Sequence, residues 1–379
     1  MKKTFAIVSI FIFIASCTPQ YKAQETVVQS KSVVSKRPKN IILMIGDGMG
    51  LTQISAEYYM NNGKLNLEQF PYVGIHINYP AEDSTIITDS AAGATAFSVG
   101  EKTYNGAIGV GKDSLARETI METAKKKGLA TALVVTCNIQ HATPAAFIAH
   151  VKSRADYEPI SLDILNSNID FFIGGGKKYF DSRKMDNRNL LTEMENKGYQ
   201  ISDWIKEDIE KVKITKDKFI YLTANDQPLT AEQGRDYLPK ASKMACDFLE
   251  NRSKKGFFMM IEGSQIDWGG HAGNSNYIVN EMLDFNKAIG EVLEFAKRDG
   301  NTLVIVTADH ETGGFALVKG SKMNKIVGAF GDTKPDKSGS IYHTAAFIPV
   351  FAYGPGAEQF AGMYQNTAIY QKMKALFGF

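Results

Sequence analysis

Short apolar runs rich in β-branched and aromatic residues alternate along this chain with segments of helical spacing, and this alternation limits the folds open to it. The apolar runs are residues 41–45, 75–79, 130–136, 171–173, 257–261, 303–307 and 347–353. Helical spacing covers residues 114–127, 231–254 and 276–298. The pattern predicts an α/β fold, with helices on both faces of a mostly parallel central sheet. We interpret the more charged and less regular residues 177–226 as a peripheral elaboration.

Size and charge narrow the classes of protein further. The chain has 379 residues and is 44% hydrophobic, which is enough for a large core in one domain. Its 43 basic and 41 acidic residues nearly balance. A general attraction to nucleic acid is therefore not indicated, and we expect no obligate nucleic-acid partner.

Polar residues follow three of the predicted strands at the point where each strand ends. Asp47 follows the run 41–45, Glu262 follows 257–261, and Asp309 with His310 follows 303–307. In open α/β sheets the functional site lies beyond the carboxyl ends of the strands. We therefore expect these side chains to meet at one edge of the sheet.

The six histidines fall into two groups. His271 lies four residues after Asp267, so a carboxylate and an imidazole are one helical turn apart and suit a common ion. Asp309 and His310 form a second such pair. Oxygen donors mixed with imidazole suit zinc, whereas an oxygen-rich pocket suits magnesium. Several neighbouring ions are typical of phosphoryl transfer. His76 and His150 have no comparable neighbours, and we interpret both as structural.

Ser90 is the candidate nucleophile. The small residues that follow it favour a helix, so its hydroxyl would lie at a helix N-terminus, where backbone N–H groups and the helix dipole favour an alkoxide and an incoming phosphate. Serine is also a common N-cap, and in isolation that role is the simpler interpretation. The catalytic role requires the metal ligands to lie next to it.

Seven motifs in order resemble the signature of the alkaline phosphatase family, from about residue 38 to the end of the chain. They are residues 46–50 (GDGMG), 88–92 (TDSAA), 141–144 (HATP), 153–154 (SR), 262–267 (EGSQID) with His271, 307–310 (TADH) and 343–344 (HT). One motif alone would be suggestive, whereas seven in order are specific.

The resemblance implies a phosphomonoesterase that forms a covalent phosphoserine at Ser90, with Arg154 binding two phosphate oxygens through its planar guanidinium. It also implies two zinc sites and a third site that usually holds magnesium. The implied ligands are Asp267, His271 and His343 for the first zinc, Asp47, Asp309 and His310 for the second, and Asp47, Thr143 and Glu262 for the third.

Two positions depart from one common pattern of the family. His141 stands where some members have aspartate, and Trp268 stands where some have lysine. Because a histidine ligand favours zinc or cobalt over magnesium, the identity of the third ion stays open. The missing lysine removes a positive charge near the phosphate, so we expect phosphate release to differ.

Two alternatives remain open at this point. A phosphodiesterase or sulfatase on the same metal scaffold would differ in its preference between mono- and diesters or in its nucleophile motif. A surface lipoprotein that binds phosphate or metal without turnover would also carry these ligands. Substituting Ser90 separates catalysis from binding.

The first residues suggest a membrane anchor. Lys2 and Lys3 precede an apolar run that is short for a membrane span, and the residues 14–17 (IASC) are similar to a bacterial lipoprotein processing site. We expect a signal peptide over residues 1–16, a lipidated Cys17, a flexible tether over 17–37 and a catalytic domain over 38–379, held at the cell envelope. The alternative is a simple cleaved secretory signal.

Two points about covalent and quaternary structure remain open. Cys137 and Cys246 are compatible with one disulfide bridge or with two buried free thiols. A homodimer is implied by the family resemblance alone.

Overall fold

The apolar runs of the sequence assemble into one large sheet, in which a single strand runs against the others. The structure, a computed structural model, describes residues 37–331 and 341–379. The strands of the described residues are β1 Asn40–Gly46, β2 Tyr72–Ile77, β3 Ala130–Asn138, β4 Phe171–Gly175, β5 Gln200–Asp203, β6 Phe219–Leu222, β7 Phe257–Gly263, β8 Thr302–Thr307, β9 Glu311–Thr312, β10 Ala316–Leu317, β11 Gly328–Ala329, β12 His343–Thr344, β13 Ile348–Tyr353 and β14 Gly362–Gln365.

Ten of these strands form the central sheet, in the order β14-β2-β13-β8-β1-β7-β3-β4-β6-β5. Strand β13 is antiparallel to both of its neighbours, and all other adjacent pairs are parallel. Strands β9 with β12, and β10 with β11, form two small antiparallel ribbons. The prediction of a mostly parallel sheet is confirmed.

Helices cover both faces of this sheet. They are α1 Leu51–Met60, α2 Ser90–Val99, α3 Ile120–Lys126, α4 Ala142–Ala145, α5 Tyr157–Ser167, α6 Lys178–Asp181, α7 Leu190–Asn196, α8 Tyr237–Arg252, α9 Ile266–His271, α10 Ser275–Asp299 and α11 Thr367–Phe377, with 3₁₀ turns at Asn66–Gln69, Ile209–Lys211 and Ala357–Phe360. Strand side chains alternate between two cores: Ile41 and Leu43 pack with α2, α4 and α11, whereas Ile42 and Met44 pack with α8 and α10. The α/β sandwich follows from this two-sided burial.

The structure corrects the sequence-based view of residues 177–226. These residues contribute β5 and β6, which extend one edge of the central sheet, and the four residues of β6 are all buried. The region is peripheral because it lies at an edge, but it is part of the main sheet.

Two helices begin later than the apolar spacing of the sequence predicts. Helix α3 begins at Ile120, because Thr119 and Glu122 form a capping box that fixes its start. The preceding residues form turns, with Ser114 at φ 60°. Helix α8 begins at Tyr237, six residues after the start of its apolar spacing. Helix α10 matches the prediction to within one residue at each end.

Cys137 and Cys246 are both free and buried, so they do not pair with each other. Among the described residues, no helix has both the length and the apolar character needed to cross a lipid bilayer. Cys17, the predicted signal peptide and nearly all of the predicted tether lie outside the described residues.

Candidate active site

The site forms where three adjacent parallel strands end. Strands β8, β1 and β7 are neighbours, and their carboxyl ends deliver Asp309, Asp47 and Glu262 to the same edge. All three carboxylates are completely buried. Gly48 follows Asp47 in a tight turn and has a φ of 73°. A Cβ at this position would lie 2.8 Å from the Asp267 Cα, so the turn requires glycine.

Ser90 is the first residue of helix α2, and the neighbouring residue caps the helix. Asp89 is the N-cap and accepts a hydrogen bond from the Ala92 N–H at 2.9 Å. The Ser90 hydroxyl is therefore free for other contacts, and its Oγ lies 3.4 Å from Asp47 Oδ1 and 3.2 Å from His310 Nε2. The structure thus meets the condition on which the catalytic role of Ser90 depends.

Asp267, His271 and His343 form one cluster of potential ligands. Each imidazole binds a backbone carbonyl through Nδ1: His271 contacts Ile341 O at 2.5 Å, and His343 contacts Thr88 O at 2.9 Å. Because these Nδ1 atoms must donate, both Nε2 atoms carry lone pairs, and they lie only 3.1 Å apart. The carboxylate of Asp267 lies 3.3–3.4 Å from both. Converging lone pairs of this kind suit a cation.

Asp47, Asp309 and His310 form the second cluster, beside Ser90. His310 Nε2 lies 3.5 Å from Asp47 Oδ1 and 3.3 Å from Asp309 Oδ2. The His310 ring stacks on the ring of His343 with 3.5 Å between centroids, so the two clusters are adjacent.

Thr312 fixes the tautomer of His310. Its hydroxyl donates to Asp267 Oδ1 at 2.5 Å, and the same oxygen lies 3.2 Å from His310 Nδ1. Since this oxygen must accept from Nδ1–H, the Nε2 of His310 presents its lone pair toward Ser90 and the two carboxylates.

The carboxylates of the site repel one another in a buried environment. Burial and the neighbouring Asp267 raise the pKa of Asp309 to about 6, and burial raises the pKa of Glu262 to about 7. Burial, reinforced by Asp309, also raises the pKa of Asp47. Burial opposes the ionisation of Asp267 as well, but the adjacent His271 and His343 side chains keep its pKa low. Several buried carboxylates this close together are stable in their ionised form only if a positive charge neutralises them.

The third group of residues surrounds Glu262. One carboxylate oxygen, Oε2, accepts from Ser264 Oγ at 2.7 Å, while Oε1 is buried without a hydrogen-bond partner. Thr143 Oγ1 and Asp47 Oδ2 are likewise buried and unpartnered among the described residues. Unsatisfied buried oxygens are costly, so this arrangement fits a bound ion.

Arg154 approaches the site from the side of Asp89. Its Nη1 donates to Asp89 Oδ2 at 2.9 Å, and its Nη2 lies 3.3 Å from His141 Nε2. Because a guanidinium can only donate, His141 accepts at Nε2 and holds its own proton on Nδ1. Trp268 packs edge-on against the His141 ring, with 5.9 Å between centroids.

A cavity of about 490 Å³ opens onto these groups. Among its lining residues, Arg154 is the one with a permanent positive charge, and Ser90, Asp267 and His271 line the same space. The cavity thus places a serine hydroxyl, a guanidinium and potential metal ligands around one space.

The family model for alkaline phosphatase matches residues 38–338. The chain belongs to the alkaline phosphatase family. Alkaline phosphatase 3 of Bacillus subtilis is 33% identical over 93% of this chain and 90% of its own length, and the alkaline phosphatase of Escherichia coli is 33% identical over 93% and 89%. These alkaline phosphatases cover the chain almost from end to end.

A solved structure agrees with the sequence relatives. The alkaline phosphatase of the Antarctic bacterium TAB5 is 43% identical, covers 91% of this chain and 99% of its own, and superposes with a TM-score of 0.83. A variant of that protein with aspartate in place of a histidine has magnesium bound in its M3 site. The present chain is accordingly a phosphomonoester hydrolase with the alkaline phosphatase fold.

The structure brings together every site residue that the sequence indicated and adds three. Asp89, Thr312 and Cys137 contact Arg154, His310 and Glu262 respectively. Asp89 lies within the motif of residues 88–92, so the sequence could have indicated it as a site residue. Thr312 and Cys137 lie outside the motifs, and no local sequence pattern marks either as a site residue.

His76 and His150 lie outside the three clusters. His76 contacts Ala308 O at 2.9 Å, and His150 contacts Gly109 O at 2.8 Å and Glu122 at 3.1 Å. These contacts agree with the structural interpretation of both residues.

Proposed function

We propose that the chain hydrolyses phosphate monoesters through a covalent phosphoserine on Ser90, at two zinc sites and a third metal site. The observation that carries this proposal is the position of the Ser90 Oγ, within 3.5 Å of both Asp47 and His310 at the start of helix α2. A hydroxyl there faces metal ligands on one side and the open cavity on the other.

The three clusters would hold the ions. Asp267, His271 and His343 would hold the first zinc, and Asp47, Asp309 and His310 the second. Asp47, Thr143 and Glu262, with His141 beside them, would hold the third ion, magnesium or, because of the imidazole, zinc or cobalt. When bound, these cations lower the pKa of hydroxyl and water oxygens and stabilise charge on the attacking and leaving oxygens.

Arg154 and Ser90 would have separate roles in the reaction. Arg154 would bind two phosphate oxygens through its fork, held in place by Asp89. The Ser90 oxygen attacks phosphorus, the P–O bond to the alcohol breaks, and the alcohol leaves with a proton. Water then attacks the phosphoserine, which releases inorganic phosphate and restores the Ser90 hydroxyl. Recognition is concentrated on the phosphoryl group, so we expect a broad range of leaving groups.

Replacing Ser90 tests the covalent step. We expect Ser90→Ala to reduce hydrolysis of a phosphomonoester by more than about 10³-fold while the metal content is retained. Ser98→Ala is the matched control, because Ser98 lies on the same helix and its hydroxyl binds only the backbone carbonyls of Thr95 and Ala146. Acid quenching with labelled substrate should trap phosphate on Ser90 in the wild type. Hydrolysis by Ser90→Ala near the wild-type rate would overturn the proposal.

Metal analysis tests the cofactors. We expect about three divalent ions per chain after loading, and loss of hydrolysis after chelation that zinc restores. Undiminished hydrolysis in a fully chelated sample would contradict the metal-dependent mechanism.

We also propose that the enzyme is anchored at the cell envelope through a lipidated Cys17, which the sequence of residues 14–17 supports. Cys17→Ser should release the protein from the membrane fraction and abolish incorporation of labelled fatty acid. Retention of the label would refute the anchor.

We further propose a homodimer. Support comes from exposed apolar side chains at one edge of the sheet, where Ile75 pairs with Met363 and Val73 lies on the same face of β2. Sedimentation of Val73→Asp alongside the wild type tests this assignment, and an unchanged dimer would place the interface elsewhere.

A further inference from the structure

A thiol lies in the third group of residues, next to Glu262. Strands β3 and β7 pair in parallel with Val135 opposite Glu262, which places Cys137 just beyond the glutamate on the adjacent strand. Cys137 Sγ donates to Glu262 Oε2 at 3.4 Å. Ligand atoms of Cys137, His141 and Glu262 all lie within 4.8 Å of one another.

Two oxygens of the third group of residues lack hydrogen-bond partners among the described residues. Glu262 Oε1 and Thr143 Oγ1 are buried and accept or donate no hydrogen bond within the described ranges, and both residues are completely buried. Cys137 itself is also fully buried. A site built of a thiol, an imidazole and unsatisfied oxygens points to a ligand that binds all three kinds of atom, namely a metal ion.

We propose that Cys137 is a thiolate ligand of the third metal site and makes that site select zinc over magnesium. The inference rests on the proposed function, because it assumes that Glu262 and His141 belong to a third site. It changes the expected ligands of that site from oxygen and nitrogen to a mixed set of sulfur, nitrogen and oxygen.

Ligand preference supports zinc. Magnesium requires close to six hard oxygen ligands in octahedral geometry and does not favour sulfur. Zinc accepts thiolate, imidazole and carboxylate together, most often with four ligands in a tetrahedron. Cys137, His141 and Glu262 supply three of these, which leaves one position of the tetrahedron for a further ligand.

The spacing fits the same conclusion. Bond lengths of about 2.3 Å to sulfur and about 2.1 Å to oxygen place two tetrahedral ligands roughly 3.6 Å apart. The ligand atoms of Cys137, His141 and Glu262 all lie within 4.8 Å of one another. Movements of about 1 Å therefore bring them to the spacing of a metal site.

Charge and protons balance on binding. The Cys137 S–H bond breaks, its proton passes to solvent, and the sulfur lone pair forms the bond to the metal. The hydrogen bond from Cys137 to Glu262 is lost in the same step. The two negative charges that then lie side by side are neutralised by the divalent cation.

Cobalt substitution of the purified full chain tests the proposal. Thiolate bound to Co²⁺ gives an intense near-ultraviolet charge-transfer band that oxygen and nitrogen ligands do not give. We expect this band in the wild type on filling of the third site, and we expect Cys137→Ala to lose it while keeping the visible bands of the other two sites. Cys246→Ala is the matched control, because Cys246 is an equally buried thiol in helix α8, outside the three ligand clusters.

Competition measures the selectivity. Zinc should be preferred over magnesium at the third site of the wild type, and Cys137→Ser should reduce this preference by about 10- to 100-fold. The spectrum of the wild type needs no variant, so poor folding of a substituted chain leaves the test intact.

The outcomes separate the two levels of inference. Binding of cobalt at all three sites without the charge-transfer band, or a band that survives in Cys137→Ala, overturns the role of Cys137 and leaves the phosphoserine mechanism standing. Failure of the chain to bind any divalent ion overturns both.

Discussion

Asp89 joins helix α2 to Arg154: one carboxylate oxygen caps the helix at Ala92, and the other accepts a hydrogen bond from Arg154 at 2.9 Å. The guanidinium is therefore oriented by the residue that precedes Ser90. Because the two contacts are made by different oxygens, different substitutions at Asp89 should separate the effect on substrate binding from the effect on helix stability.

We expect Asp89→Asn to raise KM and weaken inhibition by inorganic phosphate by about 5- to 10-fold, because Arg154 loses a charged partner. Asparagine still caps the helix, so unfolding should change little. Asp89→Ala should have the same effect on KM and also lower stability by about 1 kcal/mol. Steady-state kinetics and thermal unfolding check both parts, and equal KM values in all three proteins would rule out the positioning role.

Thr312 should matter for zinc although it binds no ion. Thr312→Val removes the acceptor for His310 Nδ1 and the donor to Asp267, so the imidazole loses its fixed tautomer. We expect zinc affinity to fall about 10- to 100-fold, as measured by competition with a chelating dye. Thr302→Val, at the opposite end of strand β8, is the control and should leave zinc affinity unchanged. An unaltered affinity in Thr312→Val would contradict this reasoning.

Glu57 should limit stability at neutral and alkaline pH. Both of its carboxylate oxygens are buried without a hydrogen-bond partner in the described part of the chain, and burial raises its pKa from 4.5 to about 9. The folded state holds the proton while the unfolded state releases it, so stability is lost as pH rises from about 4.5 to about 9.

We expect Glu57→Gln to stabilise the protein by about 1–3 kcal/mol at pH 8 and to have a much smaller effect at pH 4. Glu291→Gln, at an exposed position on helix α10, should have no such pH-dependent effect. Chemical unfolding at both pH values tests the prediction, and a pH-independent result for Glu57→Gln would refute it.

Removing the metals should make stability depend more strongly on pH. Without cations, the pKa values of Asp309 and Glu262 are raised to about 6 and about 7, and both groups ionise at lower pH in the unfolded chain. We therefore expect the metal-free protein to lose stability as pH rises from about 4 to about 7, and the metal-loaded protein to lose much less. Thermal unfolding with and without chelator provides the comparison. Parallel curves would show that the ions do not neutralise these acids.

Much of the site could be predicted because its residues follow strands. Parallel strands end at one edge, so Asp47, Glu262 and Asp309 could be placed together from the apolar runs alone. His343 could not, because its ribbon strand β12 is two residues long and its approach to His271 depends on the pairing with β9. Only the resemblance to the family indicated its role.

Short elements and local capping limited how much of the rest of the fold could be predicted from the sequence. Strands β5 and β6 have four residues each, too few for alternation to stand out among charged neighbours. The start of α3 is set by the side chain of Thr119 and not by the apolar spacing that precedes it. The role of Cys137 depends on the register of β3 against β7, which no local pattern contains.

The contact between Arg154 and His141 has a thermodynamic consequence. One imidazole nitrogen has a single lone pair, so it cannot serve the guanidinium and a metal ion together. On the proposed binding of the third ion by His141, occupancy of that site and the freedom of Arg154 are linked, and linkage is reciprocal. The free energy by which bound phosphate changes the binding of the ion equals the free energy by which the bound ion changes the binding of phosphate. The affinity for phosphate, the product, therefore reports on a cation that phosphate does not contact.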